Sequence, residues 1–283
     1  MSIVKIKKIL KENKFFYYFY SLIKRNISFK IYISIWNSFL SKLDTKQYNS
    51  NIQKYEITNS LLQNLIDKNP EKNKYNFLNL GSGLGEVRAF TEFAQNKISY
   101  SKFFHNFNYY TLDFFELDLN TVKTKGDYVV RPDKNLIREK IDASIFRDYP
   151  DNFHKKHIVF DLNNIYEDKS FFSKFDFIYC EDVLEHLNYP FNLPVTIHNL
   201  LKKNGTCVLM TPFSYPYHKD PEDYYRFTHK GLENLFKNNK NFQFEILELG
   251  YSTEIRREKR NIEPGLRSYW IENWWSIIVL KKL

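Results

Sequence analysis

Asn76-Phe77-Leu78-Asn79-Leu80-Gly81-Ser82-Gly83-Leu84-Gly85-Glu86-Val87 runs from an apolar strand through a tight glycine turn into an apolar helical pattern. Glycine tolerates positive φ and lets a ligand approach the backbone closely. The start of the following helix offers N–H groups to polar ligand atoms. The spacing is G-x-G-x-G. It lacks the G-x-G-x-x-G register of dinucleotide-binding turns, and no Gly-Lys-Ser/Thr follows, which argues against a phosphate-binding P-loop.

Downstream of this turn the chain alternates. Strand patterns fall at Tyr109–Asp113, His157–Asp161, Phe175–Cys180, Thr206–Met210, Phe242–Leu249 and Ser276–Leu280. Helical patterns fall at Val87–Phe93, Pro194–Lys202 and Lys230–Lys237. Such alternation predicts a Rossmann-like α/β fold with seven strands, mostly parallel, and helices on both faces. Residues 114–155 and 251–274 are the least regular and read as insertions within a domain spanning 71–283.

The chain has 283 residues and is 43% hydrophobic, enough for one large packed domain and an appendage. The net charge is +9, and residues 1–50 hold ten Lys and Arg against two acids, leaving the remainder near neutral. Charge confined to one arm predicts a local contact, and no nucleic-acid partner is expected. The arm, residues 1–70, reads as helical. Its aromatic block Phe15–Tyr20 between lysines is compatible with peripheral contact to an anionic membrane, or with a helical cap on the domain. No secretory signal or membrane-length apolar run is visible, and Cys180 and Cys207 sit in apolar strand patterns, so a cytoplasmic protein is expected.

The segment Leu78–Gly85 resembles motif I of class I S-adenosylmethionine-dependent methyltransferases. Phe175-Asp176-Phe177-Ile178-Tyr179-Cys180-Glu181-Asp182-Val183-Leu184-Glu185-His186-Leu187 is similar to their fourth-strand motif, and Leu200–Phe213 to their helix–Gly–fifth strand. The resemblance spans about residues 76–250 and leaves out the N-terminal arm. It implies S-adenosylmethionine as cofactor, held by Asn79, Gly81, Ser82, Gly83 and Gly85, by Asp113 on the ribose hydroxyls, by Asp161 and Leu162 on the adenine, and by Glu181 at the fourth strand end. The family has an acid where this chain has Asn79; an amide still accepts a hydrogen bond. Asp118 is a second choice for the ribose.

After the fifth strand comes Tyr217-His218-Lys219-Asp220-Pro221-Glu222-Asp223-Tyr224-Tyr225-Arg226-Phe227-Thr228. This run resembles a subgroup associated with surface polysaccharide and other glycan synthesis, which implies a sugar or glycan acceptor. Carboxylates and Arg bind hydroxyls, and aromatic faces stack on sugar rings. Tyr217, Tyr224, Tyr225 and Arg226 are therefore the candidate acceptor-binding residues. Methyl transfer to a hydroxyl also requires loss of a proton. Histidine titrates near neutral pH, so His218 is the candidate base, with Asp223 as its orienting partner. The same residues also read as a loop clipped by an Asp223–Arg226 ion pair. Glu185 and His186 suggest metal ligation, but one adjacent pair is a poor site, and no metal is expected.

Other acceptors stay open from the sequence. Thr211-Pro212-Phe213-Ser214 lacks the Asp/Asn-Pro-Pro-Tyr pattern of amino-methylating nucleic-acid enzymes. A lipid or quinone acceptor would suit the aromatic arm. A non-catalytic protein retaining the fold would have less reason to keep its glycines and strand-end acids.

Overall fold

The computed structural model describes residues 54–68, 74–83, 87, 98–114, 156–215, 217–218, 222–254 and 273–283. The basic arm up to residue 53, most of the helix expected at Val87–Phe93, and the 115–155 insertion lie outside the described residues.

Seven strands form one sheet: β1 (Tyr75–Leu80), β2 (Phe107–Asp113), β3 (His157–Val159), β4 (Phe175–Glu181), β5 (Leu201–Ser214), β6 (Phe244–Glu254) and β7 (Asn273–Lys282). Their spatial order is β3-β2-β1-β4-β5-β7-β6. β1 to β5 pair in parallel, and β7 runs antiparallel between β5 and β6. Every strand expected from the sequence is present. The irregular stretch expected at 251–274 is shorter, because β6 extends to Glu254 and pairs through Glu254↔Asn273 with β7.

The central strands are apolar on both faces, as strands covered on both sides must be. Leu78, Leu80, Leu112, Ile178, Cys180, Cys207, Leu209 and Ile278 enter one cluster. Phe77, Tyr109, Phe177, Tyr179, Val208, Met210 and Ile277 enter the other. Two-residue alternation assigns neighbours along a strand to opposite clusters. Phe77 anchors the second, stacked on Phe177 at 5.3 Å between centroids and edge-on to Phe103 at 5.3 Å.

Four helices are described: α1 (Lys54–Lys68), α2 (Tyr100–Asn106), α3 (Leu193–Leu200) and α4 (His229–Leu235). α1, read in the sequence with the arm, places Leu62 and Ile66 in the same cluster as Phe77. The short α2 was not foreseen. Ser99 caps it by accepting from Lys102 N at 3.2 Å, and Phe103 is its buried anchor. Among the described residues, no helix is long and apolar enough to cross a membrane.

Parallel strands that leave their carboxyl ends along one edge open a crevice there. The glycine turn follows β1, Asp113 ends β2, Asp161 lies just past β3, Asp182 follows β4, and His218 lies in the loop after β5. Residues far apart in sequence meet at this edge because the chain returns to it after every parallel strand.

Candidate active site

The glycine turn is tied to the neighbouring strand. Gly81 N and Ser82 N both donate to Leu112 O, at 2.8 and 3.1 Å, and Gly83 N donates to Asp113 Oδ2 at 2.8 Å. Gly81 and Gly83 have φ of +71° and +52°. A Cβ on Gly81 would lie 2.1 Å from Val183 Cγ2, so Gly81 is required by packing against the turn after β4. A Cβ on Gly83 would meet nothing within 4 Å, so its surroundings are open cavity. Ser82 Oγ is buried and has no hydrogen-bond partner.

This turn borders a cavity of about 400 Å³. Gly81, Gly83 and Asp113 line one side, Phe160, Asp161 and Leu162 another, and Asp182, Val183, His186 and His218 the rest. Asp113 is buried and also accepts from Phe114 N through Oδ1 at 2.8 Å. Asp161 accepts from Asn163 N and Nδ2 at 2.9 Å, both on Oδ1, leaving Oδ2 as an acceptor.

Several expected residues stand elsewhere. Asn79 is buried on the opposite face of β1 and donates to the Tyr109 hydroxyl at 3.1 Å, so it does not line the cavity. Glu181 does not line it either; it accepts from the Tyr179 hydroxyl. The next residue takes that place, because strand alternation turns Glu181 away from the crevice. Asp182 has φ of +53° and is held by Trp275 Nε1, which donates to Oδ1 at 2.8 Å. Gly85, Asp118 and Asp220 lie outside the described residues.

The loop after β5 brings His218 into the cavity lining. Asp223 is 1% exposed and receives both terminal nitrogens of Arg226 and the backbone N–H of His218, the last at 2.9 Å. Arg226 also donates to Tyr225 O at 2.8 Å and Tyr215 O at 3.4 Å. Its guanidinium is therefore spent inside the loop and not presented to an acceptor. Thr228 caps α4 by accepting from Gly231 N at 2.9 Å, which fixes the loop's far end. Tyr224 N and Tyr225 N donate to Glu185 O at 2.8 and 3.3 Å, stitching the loop to the turn after β4. Tyr217 is 67% exposed, and its hydroxyl donates to Glu222 Oε2 at 3.1 Å. Tyr224 and Tyr225 are also exposed, near Asn188, whose carbonyl accepts from the Tyr225 hydroxyl at 3.4 Å.

Arg226 holds the Asp223 carboxyl down to about 2. A folded value below the unfolded one of about 3.9 stabilises the protein fully above that pH, and the gain is lost as pH falls through about 2. Arg226→Ala leaves a buried carboxylate without its cation. The expected loss is about 3 kcal/mol, the low end for a buried pair because Arg226 is 25% exposed. Thermal melting from pH 7 down to pH 2 reads it: the variant melts lower at pH 7 and converges on the wild type in acid. Unchanged melting with a raised acceptor KM would instead place Arg226 on the acceptor.

Glu185 was not among the expected catalytic or cofactor-binding residues, yet it stands at the centre of this end. Its side chain is fully buried, Oε2 accepts from Thr211 Oγ1 at 3.0 Å, and Oε1 has no hydrogen-bond partner. Burial, with Asp182 adding to it, pushes its carboxyl up to about 8. His186 Nε2 lies 3.5 Å and His218 Nε2 3.9 Å from Oε1. His218 Nδ1 lies 3.3 Å from Asp223 Oδ2. The sequence signal was the Glu185–His186 pair at a strand end; the distant third group, His218, could only be placed by the fold.

A family model described as a methyltransferase domain matches residues 48–249. The chain belongs to this methyltransferase-domain family. Its strand order, with one antiparallel strand inserted next to the last position, is the class I methyltransferase arrangement. No curated protein matches the chain in sequence. Among solved structures, an inferred methyltransferase of Bacillus halodurans is 14% identical, with 79% of this chain and 99% of that one covered at a TM-score of 0.47. The 1,6-didemethyltoxoflavin-N1-methyltransferase of Burkholderia thailandensis is 12% identical, with 90% of each chain covered at 0.45. The magnesium protoporphyrin IX methyltransferase of Synechocystis is 11% identical, with 81% and 80% covered at 0.43.

Proposed function

We propose that this methyltransferase uses S-adenosylmethionine to methylate a sugar hydroxyl, on a nucleotide sugar or a growing glycan. The observation that carries the reading is the loop after β5, which brings His218 into the lining of the crevice; Tyr217, Tyr224 and Tyr225 of the same loop are exposed and do not line it.

The crevice fits the cofactor. Its volume of about 400 Å³ falls in the range of small-molecule sites. Gly83 keeps its wall open, Asp113 is the carboxylate for the ribose hydroxyls, and Asp161 Oδ2 suits the adenine amino group. Phe160, Leu162 and Val183 supply apolar surface for the base. When bound, S-adenosylmethionine supplies a methyl group on a sulfonium sulfur that departs with the carbon–sulfur electron pair.

The protein's own task is alignment and proton removal. Holding acceptor oxygen and methyl in line contributes up to ~7–11 kcal/mol. His218 activates the hydroxyl at the acceptor end, and Asp223 orients its ring by accepting at the backbone and facing Nδ1. The exposed rings of Tyr217, Tyr224 and Tyr225 offer stacking faces for a sugar.

A methyl-transfer screen with labelled cofactor against nucleotide sugars and glycans tests the acceptor. Activity on tRNA or a quinone, with none on any sugar, would remove the sugar reading.

For the cofactor, Asp113→Asn is expected to weaken S-adenosylhomocysteine binding about 10- to 100-fold, because a hydrogen bond to a charged group contributes roughly 1.5–3 kcal/mol. Turnover at saturating cofactor should stay near normal, since the ribose lies away from the transferring methyl. Calorimetry showing unchanged affinity would take the ribose role from Asp113.

A further inference from the structure

We propose that Glu185, His186 and His218 together bind a divalent transition-metal cation that opens onto the acceptor end of the crevice. Glu185 Oε1, His186 Nε2 and His218 Nε2 lie within 4.8 Å of one another. Two of the separations, 3.5 and 3.9 Å, are too long or too marginal for a shared proton. Tetrahedral bonds of about 2.0–2.2 Å place ligand atoms about 3.3–3.5 Å apart, so the 3.5 and 3.9 Å separations are near that span, and the two imidazoles, within 4.8 Å of each other, close on an ion by a side-chain rotation.

The proton positions favour a cation. His186 Nδ1 lies 2.6 Å from Glu222 O. A carbonyl only accepts, so Nδ1 carries the ring proton and Nε2 presents a lone pair. His218 differs: its Nδ1 lies 3.3 Å from Asp223 Oδ2 and makes no hydrogen bond to it, so its ring is held through its backbone N–H, which donates to Asp223 Oδ2 at 2.9 Å. An acceptor behind Nδ1, as Glu222 O is for His186, is the usual outer support of a metal-binding imidazole. In front, the His186 lone pair and His218 Nε2 lie 3.5 and 3.9 Å from the fully buried Oε1 of Glu185, which has no hydrogen-bond partner among the described residues. A cation between them would be met by the His186 lone pair and by a buried carboxyl oxygen that no other described group engages.

Two imidazoles and one carboxylate suit zinc, manganese, iron or cobalt better than magnesium or calcium, which prefer all-oxygen sites. Three protein ligands leave a coordination position for a water or an acceptor oxygen. His186 and His218 both line the crevice, so that position faces the acceptor. The catalytic consequence rests on the methyltransferase reading above; the binding itself does not. An acceptor hydroxyl on the cation loses its proton to solvent more readily. Its oxygen then forms the new carbon–oxygen bond as the carbon–sulfur bond breaks and sulfur keeps that electron pair.

The test uses the full chain without a histidine tag, stripped with chelator and titrated with zinc and cobalt(II). The expected result is one cation per chain, with cobalt absorption bands characteristic of imidazole ligation. His186→Ala and Glu185→Gln should each weaken binding by about 100-fold or more, while His105→Ala, away from the site on α2, should not. The cobalt spectrum of the wild type reads ligation directly, so the outcome does not depend on a variant folding. No stoichiometric binding, or binding unchanged in His186→Ala, overturns the proposal. S-adenosylhomocysteine calorimetry on the same protein separates the two readings: cofactor binding without cation binding removes the metal site alone, and cation binding without cofactor binding removes the cofactor reading alone.

Discussion

A Gly83→Val protein is expected to fold and to show no measurable S-adenosylhomocysteine binding. Gly83 sits at φ +52° beside open cavity, and its N–H is held by Asp113 Oδ2 at 2.8 Å. A β-branched residue at positive φ costs about 1–3 kcal/mol, which a domain of this size tolerates. The added Cβ meets no protein atom within 4 Å, and on the proposed placement of the cofactor the side chain enters the space beside Asp113 that the ribose needs. Gly81 is a contrasting position, because its Cβ would strike Val183 and so disturb packing before it disturbed binding. Calorimetry and thermal melting on Gly83→Val separate the two effects. Full binding by a folded Gly83→Val protein would falsify the placement of the cofactor at this turn.

His218→Ala is expected to lower turnover by about 100-fold or more while leaving S-adenosylhomocysteine affinity within a few-fold of normal. His218 belongs to the loop after β5, not to the glycine turn, so the loss falls on acceptor activation. The His218 ring touches the rings of His186 and Tyr215, at 4.8 and 5.2 Å between centroids, and these contacts disappear with it. Stability is expected to fall modestly, since the Asp223–Arg226 pair that closes the loop stays intact. If the cation is what activates the acceptor, chelator treatment of the wild type reproduces the same loss, and readdition restores the wild type but not the variant. A His218→Ala enzyme with full turnover would remove the residue from the chemistry.

The strand and turn pattern was legible from residue spacing alone. Apolar runs at Phe77–Leu80 and Phe175–Cys180 marked strands buried on both faces, and the glycines after Leu80 marked the positive-φ turn. These are local properties, set by side-chain direction along a strand and by backbone sterics. Asp113, Asp161 and Leu162, which the resemblance singled out, line the crevice because they stand at or just past the carboxyl ends of parallel strands. Glu181 shows how narrow the margin is, since a one-residue step exchanges the crevice for the sheet flank, and Asp182 stands there instead.

Partnership across the chain was decided only by tertiary structure. Asn79 found the Tyr109 hydroxyl because β1 and β2 pair in a register that sets Asn79 beside Thr111, two residues along from Tyr109. Arg226 was drawn onto Asp223, where a buried carboxylate needs a cation more than an exposed acceptor site does. Glu185, His186 and His218 converge because β4 and β5 are neighbours and the following loop is stitched to the Glu185 carbonyl. By itself the sequence determined the order of strands and turns and the residue types at their ends, since these depend on chemistry within a few residues. Which of those ends face one another, and with which atoms, was decided by sheet register and loop closure, which depend on groups tens of residues apart meeting in space.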